Sequence, residues 1–319
     1  MTMSMNEGDV KYFFFDGNDL IVDKENDDVT YNDEKHVYVG KKGVGEGKKF
    51  ISVTTLIGEF ENKFDSDFWK KYKALEELMG NDFINVKSSL LNTKKWDDSY
   101  IPDSITKEVF EETCNKYVKD WGETNRIACE YGTEIHAEQE TGFYNHAEKM
   151  IKRFNLGGTI PVYKNHHNLD IDTGIIPEML ISYIDPEGML RIAGQSDLII
   201  KNGNHIKVWD WKTNKKLKQK SYFDPKKKKY QMMKYPLNNI MDCNFLHYTL
   251  QLSLYAWMLQ KQNPNLIIDE LRIVHFTHDG EVNEYVLEYL KSDIEKMLKY
   301  YKKQLILRKY EEENKPIIF

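Results

Sequence analysis

Gly194-Gln195-Ser196-Asp197-Leu198-Ile199-Ile200, a turn at Asn202-Gly203-Asn204, and then Val208-Trp209-Asp210-Trp211-Lys212-Thr213 form the stretch on which the fold is read. Two apolar, β-branched runs joined by a tight Asn/Gly turn are the signature of an antiparallel hairpin. Each run carries an acidic residue, which is costly inside a buried strand unless it has a partner. Side chains alternate along a strand, so Asp210 and Lys212 point to one face. The hairpin can bring Asp197 beside Asp210. Two carboxylates and an ammonium then converge at one sheet edge.

Residues 175–184 form a preceding strand, ended by the turn Asp185-Pro186-Glu187-Gly188, so that 175–184, 189–201 and 205–211 make an antiparallel meander. Upstream, residues 10–58 are β-rich: a hairpin over 11–22, an alternating run at 36–39, a glycine-rich turn at 43–47, and a strand at 50–57 that runs into a helix start. Residues 65–80 have helical spacing, with Asp65 or Ser66 as cap. Residues 80–105 are polar and irregular. A long helical pattern follows from 105 to about 142, with candidate breaks at Gly122 and Gly132, then a short helix or connection at 151–156. Downstream are an amphipathic helix at 248–262, strands at 271–277 and 282–286, and a closing helix at 292–312. The expected fold is α/β, a central mixed, twisted sheet flanked by helices, with a β-rich N-terminal extension. The expected division is a region 1–105 packing on a core of 106–319, which carries a Lys-rich insertion at 213–246. Residues 1–9 are expected to be disordered.

Composition narrows the class. The chain has 319 residues, 40% of them apolar and 30% charged, enough for one large or two ordinary cores at about 150 residues per domain. Its longest apolar runs are a few residues, far short of the roughly 20 that span a membrane. The polar, acidic start predicts no secretory signal. Cys114, Cys129 and Cys243 lie far apart with no CxxC pair, which fits a reducing cytoplasm. A Lys-, Asn- and Tyr-rich, Ala-poor usage suggests an AT-rich viral or bacterial source. The net charge of −6 excludes a global basic field but not a local one. From Lys212 through Lys234, both included, stand ten lysines and one acidic residue, Asp224, with Tyr222, Phe223 and Tyr230 interleaved. That composition suits a surface that tracks phosphates and stacks bases.

Paired carboxylates with a lysine are the equipment of metal-dependent phosphodiester hydrolysis. Hard divalent cations take oxygen ligands, and an ammonium offsets charge on the scissile phosphate. Asp197 followed by Asp210-x-Lys212 resembles the PD-(D/E)XK nuclease superfamily, and specifically its RecB-like exonuclease branch. Four further segments are similar to that branch. Gly132-Thr133-Glu134-Ile135-His136-Ala137-Glu138-Gln139-Glu140 resembles its upstream helical motif, which implies His136 as an extra metal ligand. Glu178, one strand before Asp197, matches an acidic position that assists a metal-bound water or a second ion. Gln251-Leu252-Ser253-Leu254-Tyr255 resembles its Q-x-x-x-Y motif, whose amide and phenol share a helical face and either contact a DNA backbone or orient the catalytic groups. Ser52-Val53-Thr54-Thr55-Leu56-Ile57 resembles its N-terminal S-V-T segment, where Ser52 and Thr54 are expected near DNA phosphate or as a simple cap.

The resemblance covers roughly residues 30–260, and the order of its motifs is more specific than any one of them. It implies an Mg²⁺- or Mn²⁺-dependent deoxyribonuclease acting on ends of DNA, single strands above all, in phage or host recombination, replication or repair. Asp197, Asp210, His136 and the backbone carbonyl of Trp211 are the implied metal ligands. Asp197, Asp210, Lys212 and Glu178 are the implied catalytic set, and Gln251, Tyr255, Ser52, Thr54, Lys215 and Lys216 the implied DNA contacts. Alternatives are an endonuclease on the same fold and a non-catalytic DNA-binding module. The cysteine count implies no iron–sulfur cluster. The lack of a G-x-x-x-x-G-K-[ST] motif excludes a fused helicase and leaves a helicase or recombination partner open.

Overall fold

The computed structural model of the protein describes residues 24–32, 35–225 and 227–314. The hairpin expected over 11–22, the disorder expected over 1–9 and Lys226 lie outside these residues. The described residues open with an antiparallel ladder of β1 (Lys24–Glu25), β2 (Val29–Asn32), β3 (Val37–Gly40) and β4 (Lys49–Ser52). Helix α1 (Val53–Gly58) follows β4 directly. Ser52 caps it, its hydroxyl accepting from the Thr55 amide at 3.0 Å. Helices α2 (Ser66–Met79), α3 (Ile84–Thr93), α4 (Lys107–Asn145) and α5 (Ala147–Arg153) come next.

The expected meander follows as β5 (Thr173–Ile184), β6 (Arg191–Asn202) and β7 (His205–Lys212). The Lys-rich segment holds a small hairpin, β8 (Phe223–Asp224) and β9 (Lys229–Tyr230). The chain then runs through α6 (Asn244–Gln262), β10 (Ile267–Phe276), β11 (Val282–Leu287) and α7 (Lys291–Glu313).

Nine strands of the described residues form one sheet, in the order β1-β2-β3-β4-β6-β7-β10-β11 with β5 also on β6. The pairs β4–β6 and β7–β10 are parallel and the rest antiparallel, so the sheet is mixed. The parallel β7–β10 pair requires a crossover, and α6 supplies it. Ile206, Val208, Leu271 and Ile273 of the sheet pack with Leu250, Leu254 and Met258 of α6 and with Ile294 and Met297 of α7 in the main core.

One feature of the pairing positions the site. In β6, Ile192 and Ala193 pair with β4, whereas Leu198 to Asn202 pair with β7. Residues 194–197 lie at the fork between those two strands.

By contacts, the described residues up to Glu61 and those from His136 onward form one compact unit, and Asn62–Ile135 forms a second. The N-terminal strands thus belong to the sheet of the first unit. The second unit is helical, with its own core of Phe68, Tyr72, Leu75, Phe83, Leu90 and Phe110. Two sequence expectations differ from the structure here. Helix α3 occupies part of the stretch read as irregular, and α4 runs through Gly122 and Gly132 without a break. No helix of the described residues is long and apolar enough to cross a membrane.

Candidate active site

The register of β5 on β6 sets two carboxylates against each other. Pro177 lies opposite Leu198 and Met179 opposite Ser196, which leaves Glu178 facing Asp197. Glu178 has φ 53°, a left-handed conformation that non-glycine residues adopt at a cost and that concentrates at functional sites. Gln195 shares a face of β6 with Asp197, and its amide donates to Glu178 Oε2. Backbone pairing of β6 with β7 runs from Asn202–His205 to Leu198–Trp209. Beyond it, the Asp197 side chain replaces the ladder: Oδ2 accepts from the Trp211 amide at 2.6 Å.

His136, on α4, completes the group. Its Nδ1 stands 3.5 Å from Asp197 Oδ1 and 3.9 Å from Glu178 Oε1. The end of α4 is fastened two turns later, where buried Phe143 stacks on the Trp211 ring (centroids 6.5 Å apart). Phe154, just past α5, stacks on the same ring at 5.5 Å. One ligand atom each from His136, Glu178 and Asp197 lies within 4.8 Å of the others.

Two carboxylate oxygens and an imidazole suit a hard divalent cation such as Mg²⁺ or Mn²⁺. At bonds of about 2.1 Å, ligands on opposite sides of such an ion stand about 4.2 Å apart, so this trio closes around one with small adjustments. Electrostatics agree with that fit. Burial pulls the His136 pKa down, yet Asp197 and Glu178 outweigh it and push it up to about 11. Burial raises the Asp197 carboxyl, but His136 and Lys212 hold it below the usual carboxylate range. A half-buried imidazole that keeps its proton between two carboxylates marks a place where positive charge is wanted.

Asp210 comes next across from Asp197 but stands outside that trio. It is ion-paired with Lys212. Burial, then the Asp197 charge, raises its pKa to about 7. Burial lowers the Lys212 ammonium, while Asp210 and Asp197 more than offset this, leaving its pKa above the ordinary lysine value. Gln251 joins the pair: its carbonyl accepts from Lys212 Nζ at 3.3 Å and its amide donates to Asp210 Oδ1 at 3.2 Å. The same amide lies 3.3 Å from the Tyr255 hydroxyl. Gly194 makes room for that phenol, since a Cβ there would meet Tyr255 Cε1 at 2.7 Å. On the other side of Lys212, the Tyr248 ring lies under Nζ at 4.3 Å. Tyr248 donates to Asn214 Oδ1 at 2.6 Å, and the ring Nε2 of buried His275 meets the Asn214 carbonyl at 2.6 Å.

The residues singled out in the sequence therefore fall into distinct groups. His136, Glu178 and Asp197 come together, with Glu178 inside the cluster and Asp210 drawn to Lys212. Trp211 gives its amide to Asp197 and buries its ring. Gln251 and Tyr255, expected to hold DNA, are both buried. Their bonds run to Asp210, Lys212 and each other, so they hold the side chains of that pair rather than facing solvent. Ser52 pairs with Ala193 beside the fork. Its hydroxyl serves the α1 cap and meets Thr54 Oγ1 at 3.1 Å. Lys215 and Lys216 are exposed just past β7.

Three participants escaped the sequence reading. Gln195 could have been found by strand alternation from Asp197, and Tyr248 by its place one helical turn before Gln251. Asn214 sits in a loop with no periodic signal.

No curated protein matches the chain. Among solved structures, a protein called SSO0001 is 20% identical over 45% of this chain and 53% of its own, with a TM-score of 0.26. The present chain thus spans about half of that relative's length. A candidate exonuclease from Eubacterium rectale is 9% identical over 81% of this chain and 80% of its own, with a TM-score of 0.31. The sequence model of the PD-(D/E)XK nuclease superfamily matches residues 73–314. That match takes in both strands of the forked hairpin and the helices on either side, and by it the chain belongs to the PD-(D/E)XK nuclease superfamily.

Proposed function

We propose that this nuclease is a divalent-metal-dependent deoxyribonuclease that removes nucleotides from the ends of DNA, single strands above all, in phage or host recombination, replication or repair. The observation that carries the reading is the juxtaposition, at one fork of the sheet, of the His136–Glu178–Asp197 cluster with the ion pair of buried Asp210 and half-buried Lys212. His136, Glu178 and Asp197 would hold Mg²⁺ or Mn²⁺, with Asp210 and the Trp211 carbonyl as further ligands. When bound, such an ion polarises a phosphoryl oxygen and makes water a nucleophile at neutral pH.

Lys212, kept as an ammonium by Asp210 and Asp197, donates hydrogen bonds to the attacking water or the scissile phosphate. It also offsets the charge that grows there. Gln251 fixes the rotamers of Asp210 and Lys212. Ser52, Thr54, Lys215 and Lys216 hold the strand. The preference for ends rests on the resemblance of Gln251-x-x-x-Tyr255 to the RecB-like branch. The proposed compartment is the cytoplasm, with no iron–sulfur cluster and with a separate helicase or recombination protein as partner.

The test is degradation of end-labelled single- and double-stranded DNA and of a closed circle, with Mg²⁺, Mn²⁺ or EDTA, by wild type and Lys212→Ala. The expected result is loss of linear DNA only with metal, survival of the circle and an inactive variant. A cut circle would establish an endonuclease. No cleavage of any substrate would leave a binding module as the better account.

A further inference from the structure

We infer that the segment between β7 and α6 is a fixed arm that grips unpaired DNA, stacking bases on Tyr222 and Phe223 and following the backbone with its lysines. The inference rests on the nuclease reading only in naming DNA as the polyanion.

Three observations support it. First, the segment is fastened rather than loose. Ser221 Oγ donates to the Gln231 carbonyl at 2.7 Å, and the Gln231 amide donates to the Tyr222 carbonyl at 2.8 Å. Asn244, the first residue of α6, accepts from the Lys218 amide at 2.8 Å and donates to the Lys216 carbonyl at 3.1 Å. Met233 is buried in the main core, and the Lys234 amide donates to the Phe60 carbonyl at 2.8 Å.

Second, the surface it displays is both cationic and aromatic. Every described lysine from 215 to 229 is exposed. Tyr222 is 62% and Phe223 46% exposed, on a hairpin where Tyr230 braces the edge of the Phe223 ring at 5.2 Å. In a protein of net charge −6 this concentration of lysine is local, and it complements a polyanion rather than a neutral surface. Two rings are too little apolar area for a membrane-surface anchor, which buries a whole helix face. They suffice for unpaired bases, whose faces are open, whereas a duplex keeps its bases stacked.

Third, the arm is close to the chemistry. Its anchor, Asn244, is seven residues before Gln251 on the same helix, about 10 Å along the axis at about 1.5 Å per residue.

The test is fluorescence anisotropy with a labelled 30-nucleotide single strand and the matching duplex, in EDTA so that nothing is cut. The double variant Tyr222→Ala/Phe223→Ala is expected to bind the single strand at least tenfold more weakly and the duplex unchanged, since two stacking platforms for unpaired bases are lost. Tyr222→Phe/Phe223→Tyr keeps both rings and should bind like wild type. Lys218→Gln/Lys220→Gln/Lys227→Gln should weaken both ligands and flatten the single-strand salt slope by about 2, at about 0.7 per phosphate contact.

Unchanged single-strand binding by the alanine variant would overturn the inference. So would equal loss on the duplex, or lysine-dependent binding to anionic vesicles without binding to DNA. Because binding is read without metal, these outcomes are independent of whether the wild type cleaves, which the metal-dependent assay decides separately.

Discussion

Replacing Gln251 by Leu removes an amide that touches both buried Asp210 and half-buried Lys212 and leaves a side chain of similar volume. Asp210 Oδ1 loses its 3.2 Å donor and Lys212 Nζ its 3.3 Å acceptor, while the ion pair itself remains. A buried polar group left short of a partner costs about 1–3 kcal/mol. The Tyr255 hydroxyl loses its 3.3 Å contact as well, and since Asp210 and Lys212 stay paired with each other, the loss for the three groups together is about 2–4 kcal/mol. With a urea slope of roughly 3 kcal/mol/M, the unfolding midpoint in EDTA should fall by about 1 M.

The same change frees Lys212 to leave its position, and a misplacement on the order of 1 Å can cost up to about 100-fold in rate. The expected kinetic result on end-labelled linear DNA with saturating Mg²⁺ is a roughly 10- to 100-fold lower kcat, with KM little changed. A raised KM with intact kcat would mean that Gln251 contacts DNA instead. An unchanged midpoint together with unchanged kcat would refute the bridging role altogether.

Other consequences follow from the same geometry. Tyr248→Leu removes the ring under Lys212, a cation–π contact of about 1–2 kcal/mol at a desolvated site, and should lower kcat roughly five- to thirtyfold. Tyr248→Phe keeps the ring and should stay near wild type, so equal kcat for the two variants would exclude the contact. Gly194→Ala drives a methyl into the Tyr255 ring at 2.7 Å and should destabilise by about 1–3 kcal/mol, read as a lower urea midpoint; no shift would show that Tyr255 can yield. His136 has its folded pKa raised from 6.5 to about 11, so its contribution to stability is full below about pH 6.5 and is lost as pH rises through 11. In EDTA the protein should therefore unfold at lower urea at pH 10 than at pH 7. His136→Gln should flatten that difference, and a variant as pH-sensitive as wild type would assign the dependence to other groups.

Much of the architecture was legible because its signals are local. The turns Asp185-Pro186-Glu187-Gly188 and Asn202-Gly203-Asn204 fix the β5–β6–β7 meander, and with it the approach of Asp197 to Asp210. Nothing local announces the parallel pairing of β4 with β6, so the fork at residues 194–197 was invisible from sequence. Helix α3 was missed because it buries only Leu90 among its ten residues, too little to leave a clear period. The reverse error at Gly122 and Gly132 has a simple cause. A glycine costs a helix about 1 kcal/mol, which a 39-residue α4 absorbs. In the site, the Asp210–Lys212 pairing was readable from strand alternation, whereas Gln251 was singled out only by its resemblance to the Q-x-x-x-Y motif. The position of Glu178 within the His136 cluster depends on register and on a left-handed backbone that no propensity predicts.

The central claim is that His136, Glu178 and Asp197 form the cation site of this nuclease. Calorimetric titration of Mn²⁺ into wild type, Asp197→Asn and Lys212→Ala tests it most directly. The account predicts saturable binding to wild type and to Lys212→Ala, with a proton released, and its loss in Asp197→Asn. Undiminished binding by a folded Asp197→Asn protein would place the metal elsewhere and contradict the account.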